Sequence, residues 1–137
     1  MHEMLITLRN DLSEIERLAN TVIQFGRKKN LSDETIFDIT LALEEIINNI
    51  ISYAYEDKRE HQINVHVALK GAVLALEVKD DGVRFNPLEV SEIDINKPFK
   101  ERQPGGLGLF FVRNLMDELA YRREKNKNIF TMQKKIR

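Results

Sequence analysis

The feature that most constrains this chain is the apolar stripe Ile36, Ile39, Leu43, Ile46, Ile47, Ile50 and Ala54. Its steps of three and four residues are those of one helix face. Ser32 stands before it as a cap, and Asp33 and Glu34 fill the first turn, where negative charge meets free N–H groups. The spacing predicts a helix from Ser32 to about Asp57. A stripe that long has to be covered along its whole length, so this helix is expected to be the central one.

The other segments supply the cover. Met4, Ile6 and Leu8 alternate, as in a short strand over 4–9. Asp11-Leu12-Ser13-Glu14 reads as a capping box, followed at helical spacing by Leu12, Ile15, Leu18, Ala19, Val22 and Phe25. That helix should end near 27–30, where basic residues suit its carbonyl end. Ile63, Val65, Val67 and Leu69 alternate up to a Lys70-Gly71 turn. Val73 to Lys79 is almost continuously apolar, which predicts a strand buried on both faces, ending at Asp80-Asp81-Gly82. A third helix should begin at Gly106-Leu107-Gly108, with Leu109, Val112, Leu115, Met116 and Leu119 inward. Strands over about 119–124 and 128–136 meet at Lys125-Asn126-Lys127. The order β-α-α-β-β-loop-α-β-β segregates helices from mostly antiparallel strands, the pattern of a two-layer α+β sandwich.

Composition narrows the function. A chain of 137 residues with 42% apolar and 31% charged residues fits one domain, 1–137, around one core. A net charge of −1 gives no general attraction to nucleic acid or to an anionic membrane. The absence of cysteine excludes disulfides and thiolate metal sites. Met1-His2-Glu3-Met4-Leu5-Ile6 is not the start of a signal peptide, and no apolar run approaches the ~20 residues of a membrane helix. The expected location is the cytoplasm.

Three local patterns carry chemistry. Glu45 and Asn49 lie four apart and share a helix face beside the stripe, with Glu44, Asn48 and Ser52 as polar neighbours. A carboxylate there can deprotonate a hydroxyl, and an amide oxygen one turn away can ligate Mg²⁺. The same residues also suit a solvated helix face. Asp80-Asp81-Gly82 ends a strand. A carboxylate accepts from an exocyclic amine such as adenine N6, and glycine lets a flat base approach, although Asp-Gly is also an ordinary turn pair. Gly105-Gly106-Leu107-Gly108 opens a helix whose free N–H groups suit phosphate, with Leu109-Phe110-Phe111-Val112 expected to anchor that start in the core. No Gly-Lys-Ser/Thr follows, so this is not a Walker A loop, and no His-Arg-Asp element marks a eukaryotic-type kinase. All three prolines, Pro87, Pro98 and Pro104, fall between 86 and 105 in a loop long enough to be functional.

The order of these patterns resembles the bacterial anti-sigma-factor serine/threonine kinases, of the ATPase superfamily shared with gyrase B, histidine kinases and MutL. The resemblance covers nearly the whole chain. Leu43 to Tyr55 looks like the first motif, and its closing Ala54-Tyr55 selects Glu45 and Asn49 over Glu44 and Asn48. Val78 to Pro87 looks like the second motif, and Gly106 to Arg113 like the third. The resemblance implies a Bergerat-type sandwich with helices on one face of a mixed, mostly antiparallel sheet. It implies Glu45 as general base, Asn49 as Mg²⁺ ligand and Asp80 as the reader of adenine. Gly82, Arg84, Gly105, Gly106, Leu107, Gly108 and Leu109 would complete the ATP site, and about 88–105 would be the ATP lid. Arg84 stands where the second motif usually has another glycine, where a long cation can reach a phosphate or narrow the pocket. Tyr53 stands where histidine is frequent. Lys127-Asn128-Ile129 replaces a frequent Gly-Thr-Thr whose threonines help hold nucleotide.

The leading expectation is a partner-switching kinase using ATP and Mg²⁺. It would phosphorylate a serine or threonine of an antagonist protein of the anti-anti-sigma, STAS type, and sequester a sigma factor or other client. The alternative is a binding module of the same fold without catalysis. A detached histidine-kinase ATPase domain ranks last, since none of His2, His61 and His66 sits on a long helix. The strand over 4–9 is an edge through which two copies could join sheets.

Overall fold

The computed structural model describes residues 2–89 and 106–136. Five strands, β1 (Glu3–Arg9), β2 (Gln62–Lys70), β3 (Val73–Asp80), β4 (Glu118–Glu124) and β5 (Lys127–Lys135), form one sheet in the order β1-β2-β3-β5-β4. Every neighbouring pair is antiparallel, so the sheet is simpler than the mixed one expected. Helices α1 (Ile15–Lys28), α2 (Asp33–Tyr53) and α3 (Gly106–Leu115) cover one face. Among the described residues, no helix is long and apolar enough to cross a membrane.

The core is where the α2 stripe meets the sheet. Ile39, Leu43, Ile46, Ile47 and Ile50 pack in one cluster with Leu8, Val65, Leu76, Val78 and Phe130. The continuous apolar reading of β3 is corrected. Leu74, Leu76, Val78 and Asp80 are buried, whereas Val73, Ala75, Glu77 and Lys79 are only half-buried. The helices lie on one side only, so the other face keeps partial access to solvent.

Turn chemistry sets the ends. Asn30 adopts φ 57° after α1, with Leu31 N–H donating to Gly26 O and Asn30 N–H to Arg27 O, a Schellman closure. Gly71 has φ 61° between β2 and β3, and Lys125 and Asn126 have φ 51° and 63° between β4 and β5. Two successive left-handed residues match the twist of a tight hairpin. Helix α2 stops at Tyr53, short of the expected Asp57. The carbonyl of Ala54 instead accepts the N–H of Val83 at 2.7 Å, which turns the chain toward the end of β3.

The start of α1 also differs from expectation. Leu12–Glu14 form a 3₁₀ turn capped by Asp11, which accepts from Ser13 N–H, and Leu12 is 55% exposed. Glu14 does not close a capping box. It is buried, accepting from Arg9 N–H at 2.9 Å and from Arg17 Nη2 at 2.6 Å, and so ties β1 to α1. The Arg17 bond, followed by the Arg9 N–H, lowers its pKa from 4.5 to about 2. A depressed carboxylate pKa contributes stability above the unfolded value, lost as pH falls from about 4.5 toward 2. Glu14→Gln is therefore expected to cost about 1–3 kcal/mol at pH 7 and much less near pH 2. Chemical denaturation of both proteins across that range measures it; an equal cost at both pH values would refute the assignment.

Candidate functional site

Helix α2, the end of β3 and the start of β5 meet at one end of the sheet. Asn49 faces inward at 4% exposure, whereas Asn48 is exposed and Glu45 half-buried. The fold thus buries one of the two adjacent asparagines and leaves the other in solvent. Burial raises the pKa of Glu45 above the ordinary carboxylate range, as it does that of Glu44. The Asn49 Nδ2 is buried and has no hydrogen-bond partner among the described residues. An unmade hydrogen bond of this kind costs about 1–3 kcal/mol, so it marks a place where a polar ligand would add stability.

Asp80 is the last residue of β3 and is 2% exposed. Its Oδ1 accepts from Gly82 N–H at 2.8 Å and from Asn128 Nδ2 at 2.9 Å. Both bonds fall on one oxygen, which leaves Oδ2 as an acceptor. Burial raises the Asp80 pKa, while the Asn128 and Gly82 hydrogen bonds oppose that rise. Asp81, by contrast, is exposed and bonds His61 Nδ1 at 3.1 Å. His61 also bonds Asp57 at 2.7 Å and stacks on Tyr55, closing the loop that follows α2. The side-chain hydrogen bond to Asp57 is the main cause of its raised pKa.

The glycine reading changes in one respect. A Cβ on Gly82 would run into the carbonyl oxygen of Ala54. The close approach there is between strand end and helix end, whatever flat group lies beyond. Arg84 is exposed, and its guanidinium carbon lies 5.8 Å from the centre of the Tyr121 ring. Tyr53 is 40% exposed and its ring stands 5.7 Å from that of Phe85.

The third motif opens α3 at Gly106, as its spacing predicts. Leu107 and Gly108 continue the helix backbone; Gly105 and most of the lid segment, 90–105, lie outside the described residues. Only half of the Leu109-Phe110-Phe111-Val112 anchor is in the core. Leu109 and Val112 are buried, while Phe110 and Phe111 are 47% and 46% exposed, because only the i, i+3 pair shares the inward face.

The residue that sequence reasoning undervalued is Asn128. It lies directly opposite Asp80 in the β3–β5 ladder and is 3% exposed. Its Nδ2 donates to Asp80 and to Val83 O, and its Oδ1 accepts from Phe85 N–H and Tyr121 O–H. The available signal was a polar residue at the inward position of the alternation Asn128, Phe130, Met132. A separate, mostly apolar cavity of about 360 Å³ opens between α1 and α2, lined by Ile23, Ile36, Phe37 and Leu41 and edged by Glu44; Glu45, Asn49, Asp80 and Asn128 do not line it.

Fold and site together define a two-layer ATPase sandwich, with a buried carboxylate at a strand end and a Glu-x-x-x-Asn face on the neighbouring helix. The histidine kinase-like ATPase domain family matches residues 8–134, and the chain belongs to that family. Within it the chain stands with the anti-sigma-factor kinase type. It is 30% identical over 98 residues to serine/threonine-protein kinase BtrW of Bordetella bronchiseptica, covering 70% of this chain and 68% of that one. It is 30% identical over 121 residues to serine-protein kinase RsbW of Bacillus mycoides, covering 85% and 74%. Among solved structures, the RsbU and RsbW domains of a Mycobacterium tuberculosis protein superpose with TM-score 0.71 at 17% identity. A blue-light-activated histidine kinase domain from Erythrobacter litoralis gives 0.56, also at 17%. These alignments cover 97% and 91% of this chain but 32% and 60% of those chains, and at such identities the likeness concerns the fold.

The Gly82 contact yields a prediction. Gly82→Ala forces a methyl group against main chain where α2 ends, and is expected to cost about 1–3 kcal/mol. Thermal unfolding measures this; an unchanged midpoint would show that the junction gives way freely.

Proposed function

We propose that this chain binds ATP with Mg²⁺ between α2, the end of β3 and the start of α3, and phosphorylates a serine or threonine of a partner protein. The observation that supports this reading best is Asp80: buried, held through Oδ1, with Oδ2 left to accept from an exocyclic amine. The donor set also fits the metal. Among the described residues no cluster of three His, Asp or Glu side chains forms a protein-only metal site. Mg²⁺ commonly relies on phosphate oxygens and water with one or two protein ligands; the amide oxygen of the buried Asn49 would be such a ligand, and its Nδ2, a donor, would be open to a phosphate oxygen. When bound, Mg²⁺ neutralises phosphate charge.

The chain's own residues would do the rest. Glu45 accepts the proton of the attacking hydroxyl as its oxygen bonds the γ-phosphorus; the bond to the β-phosphate oxygen breaks and ADP leaves. Its raised pKa brings this base closer to neutrality. Gly82, Arg84 and the turn Gly105-Gly106-Leu107-Gly108-Leu109 complete the nucleotide site in this reading, with about 88–105 as the lid of a single domain. The partner reading follows the relatives named serine-protein kinase RsbW. The substrate is an antagonist of the STAS type, the client a sigma factor or similar protein, and β1 at the sheet edge a surface for a homodimer, all in the cytoplasm.

Equilibrium dialysis with Mg·ATP is expected to give saturable binding, weakened about tenfold or more by Asp80→Asn. Glu45→Gln is expected to keep that binding and lose about 10²–10⁴-fold in transfer to a cognate antagonist protein. Wild-type transfer should rise with pH through a value above the ordinary glutamate range. Failure to bind ATP removes the kinase reading; binding without transfer favours the non-catalytic module; full transfer by Glu45→Gln removes Glu45 as the base.

A further inference from the structure

We propose that Asn128 is a positioning residue for base recognition, and that Tyr121, under Arg84, keeps it oriented. The proposal rests on the ATP-site reading above and deepens it. The amide of Asn128 has four partners, and three of them have a fixed polarity. Val83 O and the Asp80 carboxylate can only accept, and Phe85 N–H can only donate. Flipping the amide would break these three bonds, so its orientation is determined by its surroundings. The fourth partner, Tyr121 O–H, donates to Oδ1.

Two consequences follow at the site. Asp80 Oδ1 already accepts from Asn128 and Gly82, so Oδ2 becomes the acceptor offered to a base. The backbone from Val83 to Phe85, which continues from the strand end, is pinned to β5 by the same side chain. A threonine at this position has one hydroxyl donor and cannot serve both Asp80 and Val83 O. Two of the three departures from the family pattern, at Arg84 and Asn128, therefore belong to one assembly. Arg84 lies over the ring of Tyr121, Tyr121 bonds Asn128, and Asn128 bonds Asp80.

The test compares two ligands that differ only at the amine: ATP and purine riboside 5′-triphosphate, which lacks the exocyclic amine. Wild type is expected to prefer ATP by about 10- to 100-fold, the effect of one hydrogen bond to a buried charged group. Asn128→Thr is expected to narrow that preference about tenfold, and Tyr121→Phe about threefold, both mainly through weaker ATP binding. A purely structural role would weaken both ligands by the same factor in each variant, and that result overturns the proposal while leaving the ATP reading intact. No ATP binding by wild type overturns both. If circular dichroism shows Asn128→Thr unfolded, Tyr121→Phe decides, since it removes only a hydroxyl.

Discussion

The structure turns on a carboxylate held where water hardly reaches. Asp80 ends the central strand β3, and burial alone would push it toward the neutral form. Asn128, directly across the ladder on β5, and the N–H of Gly82 offset that push. The remaining geometry of the site follows from this pairing. It needs β3 and β5 adjacent, in the register that sets Asp80 opposite Asn128. A one-residue slip would send one of the two side chains to the far face of the sheet and part the pair.

Helix α2 is brought to the same place by a second backbone contact. Val83 N–H bonds Ala54 O, and only a residue without Cβ fits at Gly82. The strand end and the helix end are therefore fixed to each other through main chain, independently of any side-chain rotamer. Asn49 lies one turn after Glu45 and one turn before Tyr53 on α2. Fixing the end of the helix therefore gives Asn49 a defined relation to Asp80, and a rigid helix carries that relation one turn further to Glu45.

Much of this was legible in the sequence, for physical reasons that can be named. The α2 stripe has one helical solution, Lys125-Asn126 and Gly71 mark hairpins, and β2 alternates cleanly. Of the two adjacent asparagines on α2, Asn49 is buried and Asn48 exposed. The misreadings share one cause: composition does not report which side of an element is covered. Val73 to Lys79 looks buried throughout, yet helices cover one face only. Phe110 and Phe111 are as apolar as Leu109 and Val112, but they stay half in solvent. Glu14 fits a capping box by spacing, and a backbone N–H from β1 takes it instead. Asn128 was visible as a departure from pattern, but its role depends on a cross-strand register that a single segment does not reveal.

Polar satisfaction differs among the buried polar residues. The buried polar residues are Glu14, Thr35, Asn49, Asp80 and Asn128 among those described. Glu14, Thr35 and Asn128 have their hydrogen-bonding groups engaged within the fold. Asn49 has an unpaired Nδ2, and Asp80 has both described bonds on one oxygen. The other orphan, the Tyr55 hydroxyl, sits just past the end of α2, where its ring stacks on His61. In the proposed reading a nucleotide at this end of the sheet would complete Asn49 Nδ2 and bond Asp80 Oδ2, while the other buried polar residues serve the scaffold.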